Sequence, residues 1–192
     1  MTVYRRRTSI LEPELEYRAE ADALVIASPT GERRLPWPDV REIRLTFAPT
    51  EQKVDRYVLA LRFERWGKVQ IDNMHWHGVA DFENRSESYR PFALAVAERV
   101  ARLAPGAKAA AGAPFWSYAL QILAMALPAT FLVWLLLEIG GYRPGESVLG
   151  KVLYIAWALP IALVWMVRGR PRKLDLNALP DSVLPPVWES AA

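Results

Sequence analysis

The order of apolar and polar residues divides the chain into two unlike parts. Residues 1–113 hold short runs in which apolar and polar residues alternate, whereas residues 114–192 hold two long apolar runs. The alternation over 43–47, 57–63 and 69–71 has a period of two, which predicts half-buried β-strands. Because these runs lie close together in sequence, we expect them to pair in an antiparallel sheet.

Shorter apolar runs and one helical pattern complete the first part. Residues 15–17 and 23–26 predict two further strands, and the second is followed by a turn signature at 28–31. Ser88 is a plausible helix N-cap, and apolar residues then recur at spacings of three and four up to Leu103. The sequence therefore predicts an α+β fold, in which an antiparallel sheet or partial barrel is closed by one C-terminal helix.

The two apolar runs of the second part predict a two-helix transmembrane hairpin. Residues 115–137 carry no charge, and a helix of that length at ~1.5 Å per residue reaches ~34 Å, enough to cross ~30 Å of hydrocarbon. The predicted boundaries are an N-terminal domain at 1–106, a linker at 107–113, helices at 114–139 and 148–167 around an external loop at 140–147, and a basic, proline-rich tail at 168–192.

Charged and aromatic residues near the span ends predict the orientation of this hairpin. Lys and Arg are more frequent before the first span and after the second than between them, which places both termini in the cytoplasm of a bacterial inner (plasma) membrane. The predicted membrane-interface residues are Trp116, Trp134, Tyr142, Tyr154, Trp165, Lys151, Arg168, Arg170, Arg172 and Lys173. Small residues at i and i+4 predict close helix packing, within the hairpin or between copies, at Ala126, Thr130, Ala158 and Ala162.

One motif in the first part resembles a known family. Residues 35–43, LPWPDVREI, resemble the I-P-W-x-x-I entry to a central strand of bacterial PH-like domains, and the resemblance covers roughly residues 10–104. A PH-like domain followed by a hairpin is similar to small uncharacterised bacterial inner-membrane proteins. The resemblance implies a membrane-anchored interaction or regulatory module. The loop at 19–22 is acidic, unlike the basic loop with which PH domains bind inositol lipids.

The two histidines of the chain are the main candidates for chemistry. His75 and His77 flank Trp76, and in an extended segment residues i and i+2 share a face, so both imidazoles can meet one metal ion, with Asp72 nearby. The chain has no cysteine, so thiolate ligands are excluded. The alternative is a partly exposed strand end or loop, with Trp76 packed on the domain or lying near the membrane. We therefore assign no metal or other cofactor, and keep His75, His77 and Asp72 as candidates.

Composition and missing motifs limit the function classes. Lys and Arg number 24 against 21 Asp and Glu, and a net charge of +3 with interleaved signs excludes nucleic acid as the expected partner. The motifs of serine hydrolases, zinc peptidases and nucleotide-binding loops are absent, so no catalysis is expected. The leading hypothesis is a membrane-anchored binding or scaffolding module that contacts lipids and a protein partner or a second copy.

Three alternatives stay open. The chain could be an accessory subunit or homo-oligomer that acts through its transmembrane helices, or a metal-dependent enzyme at His75 and His77. The tail could be flexible, or Val187 and Trp188 could dock on the domain.

Overall fold

The structure is a computed structural model that describes residues 2–48, 55–78, 81–120, 122–124 and 170–186. It divides into two compact units. The first unit joins Met1–Gly112 to Arg172–Ala192, and the second is Ala113–Pro171. In the second unit, residues 115–120 and 122–124 are helical, and the rings of Phe115 and Trp116 meet edge to face with centroids 5.7 Å apart.

The first unit is mostly β-sheet. Its described strands are β1 (Thr2–Arg6), β2 (Leu15–Ala19), β3 (Ala23–Ser28), β4 (Gly31–Pro36), β5 (Val40–Ala48), β6 (Arg56–Phe63), β7 (Gly67–Asp72), β8 (Met74–Gly78), β9 (Asp81–Asn84), β10 (Lys108–Ala111) and β11 (Arg172–Lys173). Its α-helix is α1 (Ser86–Leu103), and short 3-10 helices span Trp37–Asp39 and Asp181–Val183.

These strands form three sheets. The first has the order β1-β2-β3-β4, the second β11-β10-β5-β6-β7, and the third is the β8-β9 hairpin. All pairs are antiparallel except β10 with β5, which are parallel. Parallel pairing requires a crossover, and here α1 supplies it because the helix lies between β5 and β10 in the chain. Neither large sheet closes on itself, so the described strands form no closed barrel.

The apolar stripe of α1 covers the core between the sheets. Tyr89, Phe92, Val96 and Val100 are all fully buried. The ring of Phe92 stacks on Tyr4 of β1 at a centroid distance of 5.6 Å. Burying such side chains is worth about 1.5–3 kcal/mol each, and this is what holds the helix against the strands.

The prediction of the individual strands and of the helix is confirmed, with two differences. Strands lie at the runs predicted from alternation, and α1 spans the predicted stripe. The helix begins at Ser86 rather than after Ser88; Arg85 is the N-cap residue, and the side-chain oxygen of Asn84 accepts the Ser86 N–H at 3.0 Å. Residues 107–113, expected to be a linker, contain β10.

The prediction of a transmembrane hairpin is wrong for this structure. Within the described ranges, no helix is both long enough and apolar enough to cross a lipid bilayer. Most of the predicted helices at 114–139 and 148–167 lies outside the described residues. An uncharged apolar run fixes the length available to a helix, but it does not fix that one unbroken helix forms along it. The predicted inner-membrane location and the predicted cytoplasmic placement of both termini depended on this hairpin, so these predictions are wrong as well.

Only four of the predicted membrane-interface residues, and none of the helix-packing residues, lie within the part of the chain that the structure describes. Trp116 is 82% exposed. Arg172 and Lys173 form β11 instead of marking the end of a membrane span, and Arg170 is exposed just before it. The remaining candidates lie outside the described residues: Trp134, Tyr142, Lys151, Tyr154, Trp165, Arg168, Ala126, Thr130, Ala158 and Ala162.

The C-terminal segment docks on the first unit. Strand β11 pairs with β10, and the side chains of Leu174, Val183 and Leu184 are buried in the core. Arg90 of α1 donates to the carbonyl oxygen of Pro185 at 2.5 Å. Residues 172–186 of the tail therefore pack against the rest of the first unit. Val187 and Trp188, the residues expected to dock, lie outside the described residues.

Candidate functional site

The β8-β9 hairpin brings the two histidines together with a carboxylate from the neighbouring strand. His75 lies opposite Glu83 in the register of the hairpin. His75 and His77 lie on the same side of β8, and their ring centroids are 5.0 Å apart. One ligand atom from each of His75, His77 and Glu83 lies within 4.8 Å of the other two. We call these three residues the His–Glu cluster.

Asp72, the third metal candidate from the sequence, is not part of the cluster. Its carboxylate is buried, and Oδ1 lies 2.8 Å from Nη1 of Arg6 while Oδ2 accepts from Nη2 of Arg56 at 2.6 Å. Oδ1 also accepts the backbone N–H of Met74 at 3.2 Å. Asp72 therefore ties β1 and β6 to the end of β7. Sequence proximity suggested a ligand, but the chain changes sheets at Asn73, between β7 and β8.

Asn73 fixes the corner at which the chain leaves the second sheet. It is fully buried, and its side-chain oxygen accepts the Tyr57 N–H at 2.7 Å. Its amide nitrogen donates to the Asp55 carbonyl and to Ser86 Oγ, both at 2.9 Å. These bonds join β6 and the start of α1 to the corner, so they position the β8-β9 hairpin that carries the His–Glu cluster.

The ring of His75 is held by the chain just after β1. Nδ1 of His75 accepts the backbone N–H of Arg7 at 3.1 Å, and the Arg7 carbonyl in turn accepts the Trp76 N–H at 2.9 Å. The Arg7 guanidinium lies over the Trp76 ring, 5.1 Å from its centroid. Burial, followed by the charge of Arg85, lowers the pKa of His75 below its usual value. Because Nδ1 accepts this hydrogen bond, a neutral His75 ring carries its proton on Nε2.

The Glu83 carboxylate is shared by two donors. Its Oε2 lies 2.9 Å from His77 Nε2 and accepts from Arg85 Nε at 3.0 Å. The bond with His77 is the main cause of a lowered pKa for Glu83, and Arg85 adds to it. Glu83 also lines an open groove of about 760 Å³ with Arg5 and Arg85, and His77 is exposed, so these two members of the cluster are reachable from solvent whereas His75 is buried.

A second candidate lies at the edge strand β7. A groove of about 600 Å³ runs between the β2–β4 part of the first sheet and β7, and we call it the β7 groove. Its lining residues are Leu15, Tyr17, Ile26, Ser28, Thr30, Gly31, Glu32, Arg33, Lys68, Val69 and Gln70. Tyr17 and Val69 are buried, and Leu15 and Ile26 are half-buried, which gives the groove an apolar floor.

The charges of the β7 groove are unbalanced. Glu32 is paired with Arg18. Arg33 and Lys68 are exposed, and neither has an ion-pair partner in the part of the chain that the structure describes. In contrast, cations nearby are paired, Arg41 with Glu64 and Arg44 with Glu42. The β7 groove therefore carries net positive charge that the fold does not neutralise.

Comparisons with known proteins give no family for the chain: no protein-family model, no curated protein and no solved structure matches it. The candidate sites therefore rest on their own geometry.

Proposed function

We propose that this chain is a binding module whose recognition surface is the β7 groove, and that its partner is an extended peptide segment with acidic side chains. The observation that carries the proposal is the pair of unneutralised cations, Arg33 and Lys68, on the two sides of a groove with an apolar floor.

The free edge of β7 supports an extended partner. Strand β7 ends the second sheet and pairs only with β6 among the described strands. At the opposite side of the sheet, the edge of β5 is already filled by β10 and β11. An exposed strand edge carries unpaired N–H and C=O groups that an added strand can satisfy, while side-chain pockets supply specificity.

Charge complementarity supports an acidic partner over a basic one. Arg62 lies directly opposite Lys68 in the register of β6 and β7, and Arg65 lies in the turn between these strands. Both are exposed and lack ion-pair partners within the described ranges. They extend the positive charge beyond Arg33 and Lys68, and such a field attracts acidic segments and repels basic ones.

The resemblance to bacterial PH-like domains supports an adaptor role. The resemblance rests on the motif at 35–43, and the chain runs through β1–β7 and the β8-β9 hairpin before it reaches α1. Trp37 of the quoted motif is fully buried, and its indole N–H donates to the Glu20 carbonyl at 3.1 Å. On this interpretation the chain binds or scaffolds a protein partner and performs no catalysis.

The test uses the full chain and two labelled peptides of alternating residues, one of Glu and Val and one of Lys and Val. We expect saturable binding of the Glu-Val peptide by fluorescence anisotropy and none of the Lys-Val peptide. The double variant Arg33→Glu, Lys68→Glu should lose about tenfold or more in affinity, equal to about 1.4 kcal/mol. Arg102→Glu is the matched control, because Arg102 is an exposed cation of α1 outside the groove.

Further measurements decide between the proposed surface and partner and their alternatives. N-methylation of alternate amides in the Glu-Val peptide should abolish binding if the peptide adds a strand to β7. Equal binding of both peptides, or equal loss in the double variant and in Arg102→Glu, would contradict the proposed surface. Binding of anionic lipid vesicles or of nucleic acid in place of the Glu-Val peptide would contradict the proposed partner.

A further inference from the structure

We propose that the His–Glu cluster binds a divalent transition-metal ion such as Zn²⁺, and that this ion and the hydrogen bond from Arg7 to His75 exclude each other. The cluster would then act as a metal-sensitive latch between β1 and the β8-β9 hairpin.

The ligand set fits such an ion. Two imidazoles and one carboxylate are ligands that zinc and its neighbours accept, and three protein ligands leave a position open for water. The backbone brings them together without rearrangement, because His75 and His77 share one side of β8 and Glu83 lies opposite His75 on β9. Oε1 of Glu83 has no hydrogen bond within the described ranges, so this oxygen can bind the ion while Oε2 keeps Arg85.

The tautomer of His75 makes the two states exclusive. Nδ1 now accepts the Arg7 N–H, so its lone pair is occupied. Binding a metal through Nδ1 takes that lone pair directly. Binding through Nε2 requires the ring proton to move to Nδ1, which then cannot accept a hydrogen bond. The Arg7 N–H therefore loses its acceptor whichever nitrogen of His75 binds the ion.

Loss of the hydrogen bond from Arg7 to His75 affects the segment between β1 and β2, because Arg7 contacts that segment. Its guanidinium donates to the carbonyl oxygens of Ser9, Ile10 and Glu12, and so it organises the segment between β1 and β2. It also lies over the ring of Trp76. Breaking the bond from Arg7 to His75 removes one of the ties that hold this segment to β8, so metal binding is expected to increase its local opening.

The experiment titrates the full chain with ZnCl2 alone at pH 7.5 and measures binding by calorimetry. Amide hydrogen exchange is then measured with and without the ion, on peptides that contain Arg7. We expect one ion per chain, and exchange at Arg7 that is at least severalfold faster with Zn²⁺. His77→Ala and Glu83→Gln should each weaken binding by about tenfold or more. Asp81→Asn, which removes an exposed carboxylate of β9 outside the cluster, should leave the affinity unchanged.

A variant at His75 distinguishes loss of the metal site from loss of the hydrogen bond to Arg7. In His75→Asn the side-chain oxygen can still accept the Arg7 N–H, whereas an imidazole ligand is lost, so we expect slow exchange at Arg7 with or without Zn²⁺. The proposal is overturned if Zn²⁺ does not bind, if Asp81→Asn weakens binding as much as His77→Ala, or if Zn²⁺ binds and exchange at Arg7 stays unchanged.

Discussion

The guanidinium of Arg90 lies 2.6 Å from the carboxylate of Asp181, although 91 residues separate them in the sequence. The pair joins α1 to the C-terminal segment at the place where Val183 and Leu184 enter the core. The chain therefore returns to its first unit after the whole of Ala113–Pro171, and residues 172–186, which we call the clasp, pack against β10 and α1.

Leu184→Ala tests how much the clasp contributes. Leu184 is 1% exposed, and truncating a buried leucine costs about 2–5 kcal/mol in the free energy of unfolding. Urea unfolding should show a loss in this range. Leu94→Ala is the control, because Leu94 is 41% exposed on α1 and its truncation should cost much less. Equal losses in the two variants would mean that the clasp does not stabilise the fold.

Asp72→Asn tests the buried ion pair at the end of β7. The substitution keeps the size of the side chain but leaves the charge of Arg6, which is 5% exposed, without its carboxylate. Removing one partner of a buried pair costs about 3–5 kcal/mol. In contrast, Arg41→Ala removes an exposed pair with Glu64, and such pairs are worth about 0–1 kcal/mol. Similar losses for both variants in chemical unfolding would argue against a structural role for Asp72.

Tyr89→Phe tests an expected loss of stability in alkali. Burial raises the pKa of Tyr89 well above its usual value of 10.0, and it also raises the pKa of Tyr17. Because the folded state holds the phenol neutral, this contribution is complete below pH 10 and is lost as the pH rises above 10, where the unfolded chain ionises.

The measurement is the free energy of unfolding between pH 9 and pH 11. Each such tyrosine adds at most about 1.4 kcal/mol per pH unit to the alkaline slope. We expect a shallower slope in Tyr89→Phe than in the unchanged protein, and identical slopes would count against the buried phenol as a source of alkaline instability.

Gly67→Ala tests the turn between β6 and β7. Gly67 has a φ of +75°, which side chains of L residues rarely adopt, while no heavy atom lies within 4 Å of an added Cβ. We therefore expect a loss of about 1–2 kcal/mol from backbone strain alone. Gly106→Ala is the matched control, since that position also has free space and carries no left-handed φ. The explanation fails if both variants unfold at the same denaturant concentration.

Several parts of the fold follow from local pattern. Tyr57, Leu59, Leu61 and Phe63 recur at every second position, and they are buried in β6 as predicted. The apolar stripe of α1 was also predicted from local pattern, because its buried residues recur with the period of a helix. In contrast, β1 was missed. It contains Arg5 and Arg6, and a buried arginine has no apolar signature in the sequence.

For the candidate site, too, local sequence pattern predicted only part of the arrangement. The i and i+2 spacing of His75 and His77 correctly predicted that both rings share a face of one strand. It could not predict Glu83, which joins them only through the register of β8 and β9, or exclude Asp72, which belongs to another sheet.

The sequence by itself determined the strands with a clear apolar pattern, at 15–17, 23–26, 43–47, 57–63 and 69–71, as well as the buried face of α1 and the two imidazoles that lie side by side, because these depend on residues a few positions apart. Only the tertiary structure decided that β10 pairs parallel with β5, that residues 172–186 close over the first unit, and that Arg33 and Lys68 remain without carboxylate partners among the described residues. These features depend on pairings between distant parts of the chain, whose free energy comes from shared burial and matched charges, and no local period records them.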